Sequence, residues 1–138
     1  MRKSTITETY ASDIGKVWDM VTDNTNYSWR SDLERIDILD GGGTFIEYTK
    51  EGFFTEFTIT CKEPCGRYEF TMKNKNFTGR WTGLFSSVES GGTRIEFTEV
   101  LYIKNPVMEL LSYIAMPLKK IQRTYAADLR RALGEDIP

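Results

Sequence analysis

The chain has 138 residues, 40% of them apolar, with 18 lysines and arginines against 20 aspartates and glutamates. That length suits one hydrophobic core, so a single domain over residues 1–138 is expected; the composition is too apolar for a disordered chain, and a net charge of −2 offers no overall positive field to a nucleic acid. Histidine is absent, which excludes serine–histidine triads, histidine metal sites and histidine general bases, and leaves carboxylates, lysine, tyrosine or cysteine for any chemistry.

Behind Arg2 and Lys3 stands no apolar run, so no secretory signal is expected and the cytoplasm is the default compartment. Thr5 to Tyr10 is β-branched and alternating, which predicts a half-exposed strand. The period then changes: Ile14, Val17, Trp18 and Val21 recur at helical spacing, predicting a helix over about 13 to 22 with Ser12 as its cap and Asp13 in its first turn. Asp23 to Trp29 is rich in turn formers and holds two aromatics, and is assigned a short second helix or a tight turn anchored by Tyr27 and Trp29.

From Leu33 to Lys104, short β-prone runs alternate with turn signals at 40–43, 51–52, 63–66, 74–76 and 90–92, the pattern of six consecutive antiparallel strands. Phe57, Ile59 and Cys61 alternate with polar neighbours, as do Tyr68, Phe70 and Met72, so one sheet face is buried and the other wet. Cys61 and Cys65 fit neither the C-x-x-C redox spacing nor, alone, a metal site; they are read as ordinary thiols, and neither metal nor cofactor is expected. In the run Arg80 to Val88 the register stays open, because Trp81 and Phe85 favour one face and Leu84 and Val88 the other.

The last third is helical again. Asn105 caps, Pro106 suits the first position, and Val107, Leu111, Ile114, Leu118, Ile121, Tyr125, Leu129 and Ala132 step by three and four, ending near Gly134. Pro117 inside this stretch predicts a kink or a break. The stretch 107–118 is interrupted by Glu109 and Pro117 and falls short of the roughly 20 residues of a membrane span, so no stable membrane insertion is expected. Lys119, Lys120 and Arg123 are read as a solvated face rather than an anionic-lipid patch.

A one-faced sheet of seven strands must cover its apolar side, and the C-terminal helix is the element long enough to do so. The expected architecture is therefore α+β: a curved seven-stranded antiparallel sheet wrapped around a long C-terminal helix, with two short helices between strands 1 and 2. A hollow between helix and concave face is the natural place for a small ligand.

The run Ala11-Ser12-Asp13-Ile14-Gly15-Lys16-Val17-Trp18-Asp19, continued by Asn26-Tyr27-Ser28-Trp29, resembles the opening of START-like (SRPBCC) proteins, which include polyketide cyclases, dehydrases and lipid carriers. The resemblance extends in element order over essentially the whole chain, and departs from the family pattern at Asp13, where proline is frequent, and at Gly15, where an acid is usual. It implies a helix-grip fold with a hydrophobic cavity for lipid-, steroid- or polyketide-like molecules.

Candidate ligand contacts follow from strand parity and helix spacing: Phe57, Ile59, Phe70, Met72, Phe97 and Leu101 from the strands, Leu111, Ile114, Leu118 and Tyr125 from the helix, with Trp29, Tyr48 and Trp81 as further aromatic or polar contacts. For each apolar residue, plain core packing is the competing reading. Glu99 is the sharpest signal, because it shares the parity of Ile95, Phe97, Leu101 and Ile103 and so points its carboxylate inward. It either pairs with an arginine such as Arg80 or Arg123, turns outward at a bulge, or serves as polar anchor or acid/base group. Gln122, on the helix, is expected at the surface.

The leading reading is a non-enzymatic binder or carrier of a hydrophobic small molecule. The alternative is a cyclase, aromatase or dehydrase in which Glu99, with Tyr48 or Tyr125, moves protons. A third is a protein-interaction module resembling chaperone-ATPase activators, which an exposed apolar patch would mark.

Overall fold

β1 (Arg2–Tyr10) starts three residues earlier than its β-branched stretch, because Arg2, Ser4 and Ile6 continue the inward row. The structure, a computed structural model, describes residues 1–135, so the last three residues of the expected domain lie outside it. α1 (Ile14–Thr22) follows, capped by Asp13 rather than Ser12: the Asp13 carboxylate accepts from the backbone N–H groups of Gly15 and Lys16. Ser12 instead donates its hydroxyl to Glu135. α1 buries Val17, Trp18 and Val21, and Trp18 meets Phe85 and Tyr68 edge-on.

Residues 23–32 form successive turns, so the second short helix expected before the meander does not form. The Asp23 carboxylate accepts from the Thr25 N–H and hydroxyl, a local bond that competes with helical pairing. Six strands then run as expected: β2 (Leu33–Leu39), β3 (Thr44–Thr49), β4 (Phe54–Glu63), β5 (Arg67–Lys73), β6 (Thr78–Ser87) and β7 (Thr93–Tyr102). The sheet order is β1-β7-β6-β5-β4-β3-β2, every neighbour antiparallel, so the first strand closes on the last. The open register of β6 resolves with Gly79, Gly83 and Phe85 buried and Leu84 exposed. A shift in the β4–β5 pairing between Ile59 and Cys61 sets Cys61 opposite Glu69, out of step with the pairing that carries Phe57 and Ile59; both cysteines are free.

The C-terminal helix breaks at Met116–Pro117 into α2 (Pro106–Ala115) and α3 (Leu118–Ala132). Proline has no N–H to continue the ladder, and both residues leave helical geometry, with ψ of 78° and 100°. α3 lies against β1 and α1 and buries Leu118, Gln122, Ala126 and Leu129, a regular stripe. Gln122 is inside, not at the surface: its amide nitrogen donates to the carbonyls of Ser4 and Phe97 and its oxygen accepts from the Ser4 hydroxyl, which fastens α3 to the sheet. Tyr10 adds a hydroxyl bond to the Ala126 carbonyl. Asp128, also buried, accepts from the Ser31 N–H and hydroxyl and pairs with Arg131, so the turn before β2 is held by α3.

Candidate functional site

The concave face is walled by aromatic rings. Trp81 of β6 lies flat on Phe70 of β5, with centroids 4.9 Å apart and planes at 4°. Gly83 permits this placement, since a Cβ there would stand 2.7 Å from the Trp81 ring. Phe97 of β7 meets Trp81 at 5.4 Å, and Tyr125 of α3 closes on Phe97 at 5.4 Å and on Trp29 at 5.5 Å. Further along the sheet, Phe57 contacts Phe45 and Phe70 at 5.0 Å, and Phe57, Phe70, Met72, Leu101 and Leu118 are buried in the core. Ile59 is half-buried at the edge of this cluster.

Polar groups stand among the rings. Glu99 lies between Ser4 of β1 and Trp81 of β6 in the strand register and faces inward as its parity requires. No hydrogen bond or ion pair joins its carboxylate to another described residue, so neither pairing with Arg80 nor pairing with Arg123 occurs. Burial pushes Glu99 up to about 7, Glu47 adds to the rise, and Arg2 and Arg30 oppose it. Glu47, beside Phe45 on β3, is also raised by burial, with Arg30 the main counterweight. Arg30 reaches over the Tyr125 ring at 4.8 Å and pairs with Asp32 at 3.1 Å and Glu47 at 3.4 Å. Burial disfavours its charge, but these two carboxylates more than compensate and hold the guanidinium protonated. Tyr125 is pushed up chiefly by burial.

The structure brings together Trp29, Trp81, Phe97, Glu99 and Tyr125, and leaves three expected contacts elsewhere. Tyr48 belongs to the outer face, where the Arg35 guanidinium lies 3.8 Å above its ring and Phe54 lies beside it; its parity in β3 is opposite to that of Phe45. Leu111 and Ile114 point to solvent, being 53% and 85% exposed, because the break at Pro117 detaches α2 from the stripe of α3. Arg2, Arg30 and Glu47 join the site beyond the residues expected. Glu47 carries the same parity signal as Glu99, and Arg2 lies just before the stretch read as strand. Arg30 sits in a turn, where no periodicity exists to point to it.

Trp29, Glu47, Trp81, Glu99 and Tyr125 all keep partial solvent exposure although they face inward. Two grooves lie off this wall: one of about 400 Å³ on the outer face, among Thr58, Thr71, Arg80 and Tyr102, and one of about 220 Å³ where Arg2, Ser4, Tyr113 and Leu118 meet.

No family model matches the sequence, and no curated protein matches it. The fold, in contrast, has many counterparts among solved structures. The chain superposes on BexL, a di-domain ARO/CYC of the BE-7585A biosynthetic pathway, with a TM-score of 0.79 and 12% identity over 97% of this chain and 47% of that one. A conserved protein of Geobacillus kaustophilus gives 0.77 at 9% identity, covering 96% and 95% of the two chains. Ara h 8.0201 gives 0.72 at 14% identity, covering 97% and 99%. The fold is the helix-grip fold: a curved seven-stranded antiparallel sheet, two helices at the C-terminal end and one after β1. At such identities the likeness concerns architecture alone.

Proposed function

We propose that this chain is a START-like (SRPBCC) protein of a single domain that binds or carries a hydrophobic small molecule, lipid-, steroid- or polyketide-like, against the aromatic wall between sheet and α3. The observation that carries this reading is Glu99: an inward carboxyl, unpaired among the described residues, beside Trp81 and close to the Phe97–Tyr125 pair. A carboxyl so placed is costly to leave charged and alone, and a mostly apolar ligand with one hydroxyl or carbonyl supplies what it lacks. Neutral Glu99 donates to a carbonyl; ionised Glu99 accepts from a hydroxyl. The rings give the rest of the ligand a flat apolar bed.

Native mass spectrometry of the protein purified from its own source tests this. An apolar adduct is expected on the wild type, with retention reduced about tenfold in Glu99→Gln if one charge-assisted hydrogen bond is lost. A wild-type protein with no adduct contradicts the reading.

One observation favours a second reading, the cyclase or dehydrase type. A carboxyl near 7 both gives and takes protons at neutral pH, which is the condition for general acid/base work, and Tyr125 stands on the same wall. Tyr48, on the outer face, is too far round the sheet to share in it. Loss of turnover in Glu99→Gln with binding retained selects this reading over carriage.

A further inference from the structure

α2 is amphipathic, but it turns its polar face to the protein. Glu109 receives the N-terminal ammonium at 2.8 Å, and the Ser112 carbonyl, the Ser112 hydroxyl and the Met116 carbonyl all accept from Arg2. The opposite face carries Val107, Leu110, Leu111 and Ile114 at helical spacing, 64%, 70%, 53% and 85% exposed. An apolar stripe held outward by polar anchors on the opposite face is a candidate docking surface.

Strand register shows what surrounds it. Tyr102, Thr78, Lys73 and Glu56 are successive partners across β7, β6, β5 and β4, so the β3–β4 turn, the β5–β6 turn and the start of α2 share one end of the sheet. That end adds Phe53 and Phe54, 64% and 60% exposed. It also carries the exposed lysines Lys50, Lys73, Lys75 and Lys104, with Lys120 at the start of α3. By the same register the acids at this end are Asp32, Glu34, Asp37, Glu47, Glu51, Glu56 and Glu109; Arg30 pairs with Asp32 and Glu47, Arg35 with Asp37 and the N-terminal ammonium with Glu109, which leaves Glu34, Glu51 and Glu56 against the five lysines, a modest positive excess in a chain whose net charge is −2.

We propose that this end docks on the surface of an anionic lipid bilayer, with α2 in the interface plane, its stripe and the Phe53–Phe54 turn among the acyl chains and the lysines at the headgroups. No helix among the described residues is long and apolar enough to cross a membrane. A second copy of the chain fits less well, because a two-fold contact brings together two patches of the same net positive charge. The proposal is independent of the ligand reading, since none of these residues belongs to the aromatic wall.

Co-sedimentation of the full chain with vesicles tests it. Binding is expected to vesicles of phosphatidylcholine mixed with phosphatidylglycerol, weaker binding to phosphatidylcholine alone, and loss of binding as salt is raised. The double variant Leu110→Glu/Ile114→Glu, altered only at exposed positions, should keep its circular dichroism and melting temperature and bind at least about tenfold more weakly. Absent or salt-insensitive binding to the anionic vesicles overturns the proposal, as does equal binding by the double variant. A concentration-dependent dimer in light scattering, dissolved by the double variant while vesicles go unbound, assigns the stripe to a second copy and overturns it too.

Discussion

Glu99 ties stability to pH with a definite sign. Its carboxyl titrates near 4.5 when unfolded and at about 7 in the fold, so between these values the native state binds more protons than the unfolded one. Its contribution is fully favourable below about 4.5 and is lost as pH rises through about 7, a difference on the order of 3 kcal/mol. Urea denaturation at pH 4.5 and pH 8 should therefore show the wild type losing more stability than Glu99→Gln over that range; equal losses would mean that the carboxyl is solvated. Strand alternation made Glu99 legible in the sequence, and the same alternation through Phe45 points Glu47 inward. Arg30 is different in kind. Its position depends on turns held by Asp23 and by the long-range bond from Ser31 to Asp128, neither of which has a local periodic signature.

At the scale of elements, α2 and α3 show how one proline redirects a helix. The apolar residues from Val107 to Ala132 keep nearly one spacing, so they read as one stripe, yet only those after Pro117 reach the core. The proline was visible as a break; the direction taken by α2 was not, because it follows from Arg2, whose guanidinium bonds Ser112 and Met116 more than a hundred residues away. Arg2→Ala should consequently raise hydrogen exchange across Pro106–Ala115 by about tenfold or more while leaving α3 protected, since hydrogen bonds from a charged donor contribute roughly 1.5 to 3 kcal/mol each. Unchanged exchange in α2 would show that other contacts hold it. Elsewhere the strands follow their turn signals closely. The missing second helix fails because Asx bonding in 23–25 satisfies the backbone locally.

At the scale of the molecule, the sheet topology places the first strand beside the last, and the concave wall is assembled from β1, β3 to β7, α3 and the turn around Trp29. Strand alternation and helix spacing sufficed to predict that a curved sheet would grip a helix. They did not predict that aromatic rings would fill much of the hollow, because ring orientation depends on non-local packing such as Trp81 lying across Gly83. The account's central claim is that a hydrophobic ligand settles against this wall, and the chain's three tryptophans report on it separately. Trp29 and Trp81 belong to the wall, whereas Trp18 packs on the far side of Tyr68 and Phe85 under α1. The most direct measurement is the set of indole N–H signals in proton–nitrogen correlation spectra during titration with a fatty acid, a sterol and a polycyclic aromatic ketone. The account predicts that at least one of these ligands shifts the Trp29 and Trp81 signals while Trp18 stays in place; with all three ligands leaving Trp29 and Trp81 unmoved, the claim is contradicted.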